Sequence, residues 1–382
     1  MRVLHLMDSG GLYGAEQMLL TLMEQQRELG LEPHLLSAGV PDEPPKPVEE
    51  EARRRDLGVT TWRMAPRFNP GDARRILDWA HDRGTDVLHS HGYKFNVLAG
   101  MWPRRVRRAP LVATLHGYIV GDLFSRSWLY TRADQLLLPR LDAVVLVSDA
   151  MRKRVPWTVA RSARTHVIEN GLDVERVRQR AAIDVPEEIS AFCEDHDPVL
   201  LGVGRLSAEK GFDRLIRIAA GLRDRWPRIG VLIIGEGRLR DALASLAASS
   251  GLGDAVLLPG FSDRVPAIMA RCDLACMPSH TEGLPITLLE AMAVGVPLAV
   301  TPAGEMPRVL GDGRGGLILD PDDEAAMVDA VGAHLDDTHE CTARVEWATE
   351  RLEADYSSWR MATAYRDVYA QVLGIECERV AE

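Results

Sequence analysis

Residues 279–297 read SHTEGLPITLLEAMAVGVP, with two glutamates, Glu282 and Glu290, in a run that is otherwise nearly all apolar. A carboxylate removed from water is costly unless donors meet it. Either both acids are solvated on a surface helix, or they belong to a site. Pro285 suits a first helical position, and Gly295 with Pro297 suits a helix end. That places Glu282, Gly283 and Leu284 in a loop and Glu290 more than a turn inside a short, buried helix. Two adjacent hydroxyls, such as those of a ribose, match one carboxylate. The free amides at Ile286 and Thr287 can hold a phosphate.

Two cations stand apart in a second stretch, GVGRLSAEKGFDRLI at 202–216, where Arg205 and Lys210 follow an apolar run and precede a helix. Fixed cations there suit a diphosphate and would neutralise charge building on it as it leaves; the plain alternative is surface charge on a turn. Gly10 and Gly11, in MDSGGLYGAE, allow close backbone approach to an anion at a helix start or make a tight turn. His89 and His91, in DVLHSHGY, and His116, in VATLHGY, close apolar runs. They are either structural or part of a site. His89 and His91 share a strand face as a metal pair would, but no Asp or Glu companion is evident and no metal is expected.

The elements that must position these residues are read from the apolar runs. Strands are expected at 2–7, 33–38, 59–64, 86–91, 111–116, 143–148 and 166–170, and again at 198–204, 230–235, 255–260, 273–279, 297–301 and 315–319. Helical patterns, for example 15–29 and 71–82, lie between most of them. Continuous Val/Ile/Leu strands alternating with helices mean parallel sheets covered on both faces. The polar stretch 174–197 interrupts the series, so two Rossmann-like α/β domains are expected: 1–175, a linker at 176–197, and 198–355. Ligands of such sheets bind at the carboxyl ends of the strands, and with two domains facing each other a cleft is the expected site.

Composition sets limits. At 382 residues, two cores are natural. No apolar run is long enough to span a membrane, and the N-terminus reads as a strand rather than a leader peptide. Five cysteines, an odd number, argue against a disulfide framework and for a cytoplasmic setting. The net charge of −11 is unevenly spread, with 27 Lys/Arg against 22 Asp/Glu in 1–180 and 18 against 34 in the rest. Within 100–165 there are 12 basic and 4 acidic residues, including RRVRR at 104–108 and RKR at 152–154. That excess is solubilising charge or a face for an anionic membrane or acceptor. The acidic whole argues against nucleic acid as a partner.

In order along the chain, strand-end HG, NGLD (170–173), GVGRLSAEKG, GEG (235–237), LPGF (258–261) and PSHTEGLPITLLEAMAVGVP closely resemble family 4 of the glycosyltransferases, which have the GT-B fold. The likeness covers nearly the whole chain. It implies that a nucleotide-diphospho-sugar donor is bound mainly by the C-terminal domain. By the same likeness Arg205 and Lys210 bind the diphosphate, Glu290 the ribose and Glu282 the donor sugar. His116 would lie by the reacting sugar, with Gly10 and Gly11 in the loop near phosphate and acceptor. It further implies retention of anomeric configuration, no metal or other cofactor, and a last helix, about 356–382, crossing back onto the N-terminal domain. The acceptor would be a glycan, a lipid-linked or a small molecule in bacterial polysaccharide, glycolipid or other glycoconjugate biosynthesis. The enzyme would be cytoplasmic, with peripheral contact at the inner membrane face. The glycine loop departs from the simplest family pattern by an insertion-like LYG before AE, which bears on the acceptor pocket. A GT-B epimerase and a catalytically inactive nucleotide-sugar-binding protein are the alternatives. A nicotinamide oxidoreductase would need a complete G-x-G-x-x-G after the first strand, which this chain lacks.

Overall fold

The computed structural model describes residues 1–8, 11–12, 14–65, 68–116 and 126–376, with only the backbone of 126–130 and 150. Seven strands form the first sheet: β1 (Arg2–Met7), β2 (Glu32–Gly39), β3 (Gly58–Arg63), β4 (Val87–Ser90), β5 (Leu111–Leu115), β6 (Ala143–Leu146) and β7 (Thr165–Val167). Six form the second: β8 (Val199–Val203), β9 (Gly230–Ile234), β10 (Val256–Gly260), β11 (Leu274–Met277), β12 (Leu298–Val300) and β13 (Leu317–Ile318). Every pairing between them is parallel. The chain divides into two compact units, Met1–Gly171 with Ser358–Glu382, and Leu172–Ser357.

Each sheet is buried on both faces, which is why its strands read as unbroken apolar runs. In the first unit Val3 and Val112 face one core with Met18, Leu22, Met361, Tyr365 and Tyr369. Their neighbours Leu4, Leu111 and Ala113 face another with Ile76, Leu77, Phe95 and Leu98. Successive strand side chains point to opposite faces, so one sequence run supplies both cores. The second unit repeats this, with Leu201, Leu232 and Ile234 on one face and Leu200, Val231 and Ile233 on the other. The polar stretch after Leu172 holds two helices, Val174–Ala181 and Glu187–Asp195, whose Val177, Ile189 and Phe192 are buried in the second unit. The helix Ser358–Leu373 belongs to the first unit and puts Tyr365 and Tyr369 fully inside it.

The strand orders are β3-β2-β1-β4-β5-β6-β7 and β10-β9-β8-β11-β12-β13. In each, the winding reverses beside the first strand, between β1 and β4 and between β8 and β11. Loops at the carboxyl ends part there, which makes these points the natural ligand positions of such sheets.

Candidate active site

In the second unit, β11 leads into the loop that carries Glu282. Thr301, just past β12, donates its hydroxyl to the Ser279 carbonyl at 2.6 Å. Gly304 sits at φ +59, and a Cβ there would come within 2.5 Å of the Glu282 and Gly283 carbonyl oxygens. Glu305 N–H donates to the Gly283 carbonyl at 3.0 Å. The loop is therefore held by the next strand and its turn, and only glycine fits at 304. Ser279 Oγ and Lys210 Nζ both donate to Glu282 Oε1, at 2.7 and 2.6 Å. Among the described residues Oε2 has no partner.

Lys210 arrives from the loop after β8. Its stem packs on Gly204, where a Cβ would meet Lys210 Cε at 3.0 Å. Gly211, at φ +64, lies so close to β11 that a Cβ would stand 2.1 Å from the Pro278 carbonyl oxygen. The loops after β8 and β11 thus touch, joining Lys210 to Glu282 across 72 residues of sequence. An ammonium has three donors, so the bond to Glu282 leaves two. Arg205 is exposed and makes no side-chain hydrogen bond or ion pair among the described residues.

The helix Ile286–Val294 follows that loop and ends at Gly295, at φ +81. The left-handed glycine terminates it, and Leu288, Leu289, Ala291 and Met292 fix it in the core. Leu284 and Ile286 are half-buried against the same core. The backbone N–H groups of Ile286 and Thr287 open the helix and have no intrahelical acceptor. One and a half turns in, burial pushes the Glu290 carboxyl up to about 7, against the opposing pull of Arg180. Among the described residues no side chain or amide donates to it.

In the first unit, His116 stands just past β5 and is half-buried. Its Nε2 lies 3.0 Å from His91 Nδ1, and His91 Nε2 lies 3.0 Å from His5 Nδ1. His5 Nε2 meets Gln26 Oε1 at 2.8 Å, and Gln26 Nε2 donates to the Tyr369 hydroxyl at 3.0 Å. The Tyr369 hydroxyl lies 2.7 Å from His89 Nδ1, and His89 Nε2 lies 2.7 Å from Thr114 Oγ1. Burial lowers His5 and His116 to about 4 and holds His89 and His91 well below the ordinary histidine range. All four rings are therefore neutral near pH 7.

This corrects the view of His89, His91 and His116 as three strand-end groups. His89 is an interior residue of β4 with no exposure, paired in register with His5 of β1. His5, His89 and His91 lie close enough to share a metal ion. Each of their six ring nitrogens, however, already faces a protein partner. The third ring of that cluster, His5, has no motif around it in the sequence. Gly10 lies outside the described residues, and Gly11 is half-buried. Beside Gly11, burial pushes the Asp8 carboxyl up while Lys94 and Lys46 pull it down. Lys94 Nζ lies 3.6 Å from Asp8 Oδ2. Lys46, in a loop that looks solvated in sequence, is buried, with its ammonium 3.1 Å from the Asp8 carbonyl. A hollow in the second unit, lined by Phe192, His196, Arg228 and Leu257, lies at the amino ends of its strands and touches none of these residues.

Two parallel α/β units with ligand-type groups at the strand ends fit the GT-B fold of glycosyltransferases. An Anabaena protein, HepE, solved in complex with UDP, matches with a TM-score of 0.79 over 97% of this chain and 100% of its own, at 21% identity. Residues 13–176 match the family profile described as Glycosyltransferase Family 4, and residues 187–351 that of Glycosyl transferases group 1. A glycogen synthase of Mycobacterium tuberculosis is 30% identical over 306 residues, 74% of this chain and 68% of that protein. A GDP-mannose-dependent alpha-(1-6)-phosphatidylinositol monomannoside mannosyltransferase of Mycolicibacterium smegmatis is 31% identical over 265 residues, 64% of this chain and 66% of its own length. The chain belongs to glycosyltransferase family 4.

Proposed function

We propose that the chain moves a hexose, with retention of configuration and without a metal, from a nucleotide-diphospho-sugar to an acceptor hydroxyl in glycoconjugate or polysaccharide assembly. The observation that carries this reading is Glu290, a carboxyl that burial pushes up to about 7 and that no described residue bonds. Such a group has no protein donor among the described residues, and a ribose supplies two adjacent ones. The Ile286 and Thr287 amides, Arg205 and the two remaining Lys210 N–H groups then take the diphosphate. As the bond from the anomeric carbon to the phosphate oxygen breaks, these donors stabilise the charge left on phosphate. The acceptor oxygen bonds the same face of that carbon, and its proton passes to the departing phosphate oxygen. Glu282 Oε2 serves the sugar hydroxyls, and His116 contacts the reacting sugar. Protein cations take the metal's usual part, and the histidine nitrogens that could bind one already have partners.

The mannosyltransferase relative takes GDP-mannose and acts on a phosphatidylinositol glycan, whereas HepE was solved with UDP and with UDP-glucose. A panel of UDP- and GDP-sugars, read first by thermal stabilisation, then by mass spectrometry and anomeric NMR of products with candidate acceptors, tests the reading. Transfer with inversion refutes retention. Conversion of the donor without any acceptor identifies an epimerase instead.

The acceptor side is proposed to meet an anionic membrane. Trp157 and Leu136 are 75% and 73% exposed, and Arg152, Lys153 and Arg154 adjoin Trp157 in sequence. An exposed tryptophan among cations is the composition of an interfacial contact. The run at 104–108 contributes less: Arg107 is buried on Asp142 at 2.8 Å, and Arg104 bonds Asp142 and the Val372 carbonyl. Among the described residues no helix is long and apolar enough to cross a membrane.

A further inference from the structure

We infer that Gln26 and Tyr369, on two helices remote in sequence, fix which ring nitrogen of His116 carries the proton. The inference rests on the reading above only in giving His116 a part in transfer. The observation is an unbroken buried chain of polar groups from His116 to Tyr365. It runs His116, His91, His5, Gln26, Tyr369, His89, Thr114, Tyr365, and its last link is 3.0 Å. Every member except His116 is buried, and six of them, His5, Gln26, His89, Thr114, Tyr365 and Tyr369, have no exposure at all.

A neutral imidazole has one donor nitrogen and one acceptor. Each ring therefore passes on the polarity it receives. Gln26 cannot ionise, and its amide offers an acceptor to one side and donors to the other. With Oε1 towards His5 and Nε2 towards Tyr369, the direction of every other bond follows. His5 donates from Nε2 to Gln26, so its Nδ1 accepts from His91 Nε2–H. His91 Nδ1 then accepts from His116 Nε2–H. On the other side Gln26 donates to the Tyr369 oxygen, whose O–H donates to His89 Nδ1, and His89 Nε2–H donates to Thr114. His116 is thereby left with a lone pair on Nδ1, which has no partner among the described residues. It presents an acceptor, fit for a sugar hydroxyl, and not a donor. Turning the Gln26 amide over would reverse the chain and put the proton on His116 Nδ1. Tyr369 ties the amide to the far half of the chain: its oxygen accepts from Gln26 Nε2 and its hydroxyl meets His89 Nδ1. Unmet donors in so dry a setting are costly, so the chain moves as one piece.

The test is ring-nitrogen NMR of histidine-labelled full-length protein, with each signal assigned by substitution. The wild type should show His116 as a neutral Nε2–H tautomer between pH 6 and 8. Tyr369→Phe releases the amide, and Gln26→Met removes it. Each folded variant should show a mixed or reversed His116 tautomer. With donor and acceptor, kcat should fall about 10-fold, short of the roughly 10⁴-fold loss a wrong histidine tautomer can cause, with KM for donor nearly unchanged. A wild-type His116 protonated on Nδ1, or an unaltered tautomer in folded Tyr369→Phe, overturns the inference. If Gln26→Met fails to fold, the wild-type spectrum and Tyr369→Phe still decide. The spectra need no substrate. A correct tautomer in a protein that transfers no sugar therefore refutes the proposed function and leaves the relay standing.

Discussion

Glu290→Gln should change the pH dependence of both stability and donor binding. The folded-state carboxyl is raised to about 7 from an ordinary 4.5. Between those values the unfolded chain releases a proton that the folded protein keeps. Stability therefore falls as pH rises through this window, and the penalty is complete above 7. The span of about 2.5 units corresponds to up to about 3 kcal/mol, at roughly 1.36 kcal/mol per unit. Glutamine removes the penalty. Denaturant melts should show the variant equal to wild type near pH 4.5 and more stable at pH 8. Donor binding should run the opposite way. Ribose hydroxyls donate best to the ionised carboxylate, whose share rises from about one tenth at pH 6 to about nine tenths at pH 8. Wild-type affinity should thus tighten about 10-fold across that range. The phosphates of a nucleotide-sugar are fully ionised throughout, so the donor contributes no titration of its own. Glu290→Gln should bind on a flat profile, and at pH 8 should be weaker by about 10- to 100-fold for the loss of charge-assisted bonds. Calorimetric titration with the nucleotide-sugar selected by the panel measures this. A flat wild-type profile parallel to that of the variant refutes the ribose assignment.

Lys210→Ala should stay folded and lose about 10²- to 10³-fold in turnover; near-normal turnover in a folded protein removes Lys210 from the diphosphate. Combined with Glu282→Gln, the two losses in kcat should be far from multiplicative, because the side chains bond directly at 2.6 Å; independent effects would separate their roles. EDTA should leave turnover intact, and activity lost on chelation but restored by Mg²⁺ or Mn²⁺ would refute metal independence. Trp157→Ala with Arg152→Glu should reduce salt-sensitive sedimentation with phosphatidylinositol-containing vesicles. Unchanged sedimentation would leave that surface as plain solubilising charge.

The strands are legible because each is a run of Val, Ile or Leu too continuous for anything but a sheet covered on both faces. All 13 lie where those runs predict them, within a residue or two at each end except β7, which stops at Val167, three residues short of the expected 170. Glu282 and Glu290 are legible for the opposite reason, being carboxylates where burial should exclude them. Pairings across long sequence separation are not legible. Lys210 and Glu282 look like a phosphate ligand and a sugar ligand, and nothing local shows that they bond each other. Gln26 lies in a helix rich in Glu and Gln and reads as one more solvated amide, yet it bonds Tyr369 across 343 residues. His5 hides inside RVLHLM as a single polar residue in a core strand. Lys46 and Arg107 sit in charged stretches whose composition suggests solvent, whereas the fold buries both. In each case the missing information is which distant element arrives alongside, and that is set by strand order rather than by local pattern.

The Lys210–Glu282 pair bears on how the proposed transfer is timed. With both side chains only partly exposed, the pair is close to neutral within the loop, and in the proposed reaction Arg205 is the exposed cation that would first meet a dianionic diphosphate. Lys210 can reach that diphosphate with its spare N–H groups while keeping its bond to Glu282. As the bond from the anomeric carbon to phosphate breaks, negative charge grows on phosphate and draws Lys210. Positive character grows at the same moment on the sugar, beside the carboxylate that Lys210 had neutralised. One short ion pair thus delivers both charges where they develop, and each becomes effective only as the reaction proceeds. Interactions that strengthen in this way between ground and transition states raise kcat, whereas equal binding of both would only lower KM. Glu290, whose ribose does not react, is outside that cycle. On the proposed reading, the two glutamates of one apolar run divide the work between holding the donor and responding to its cleavage.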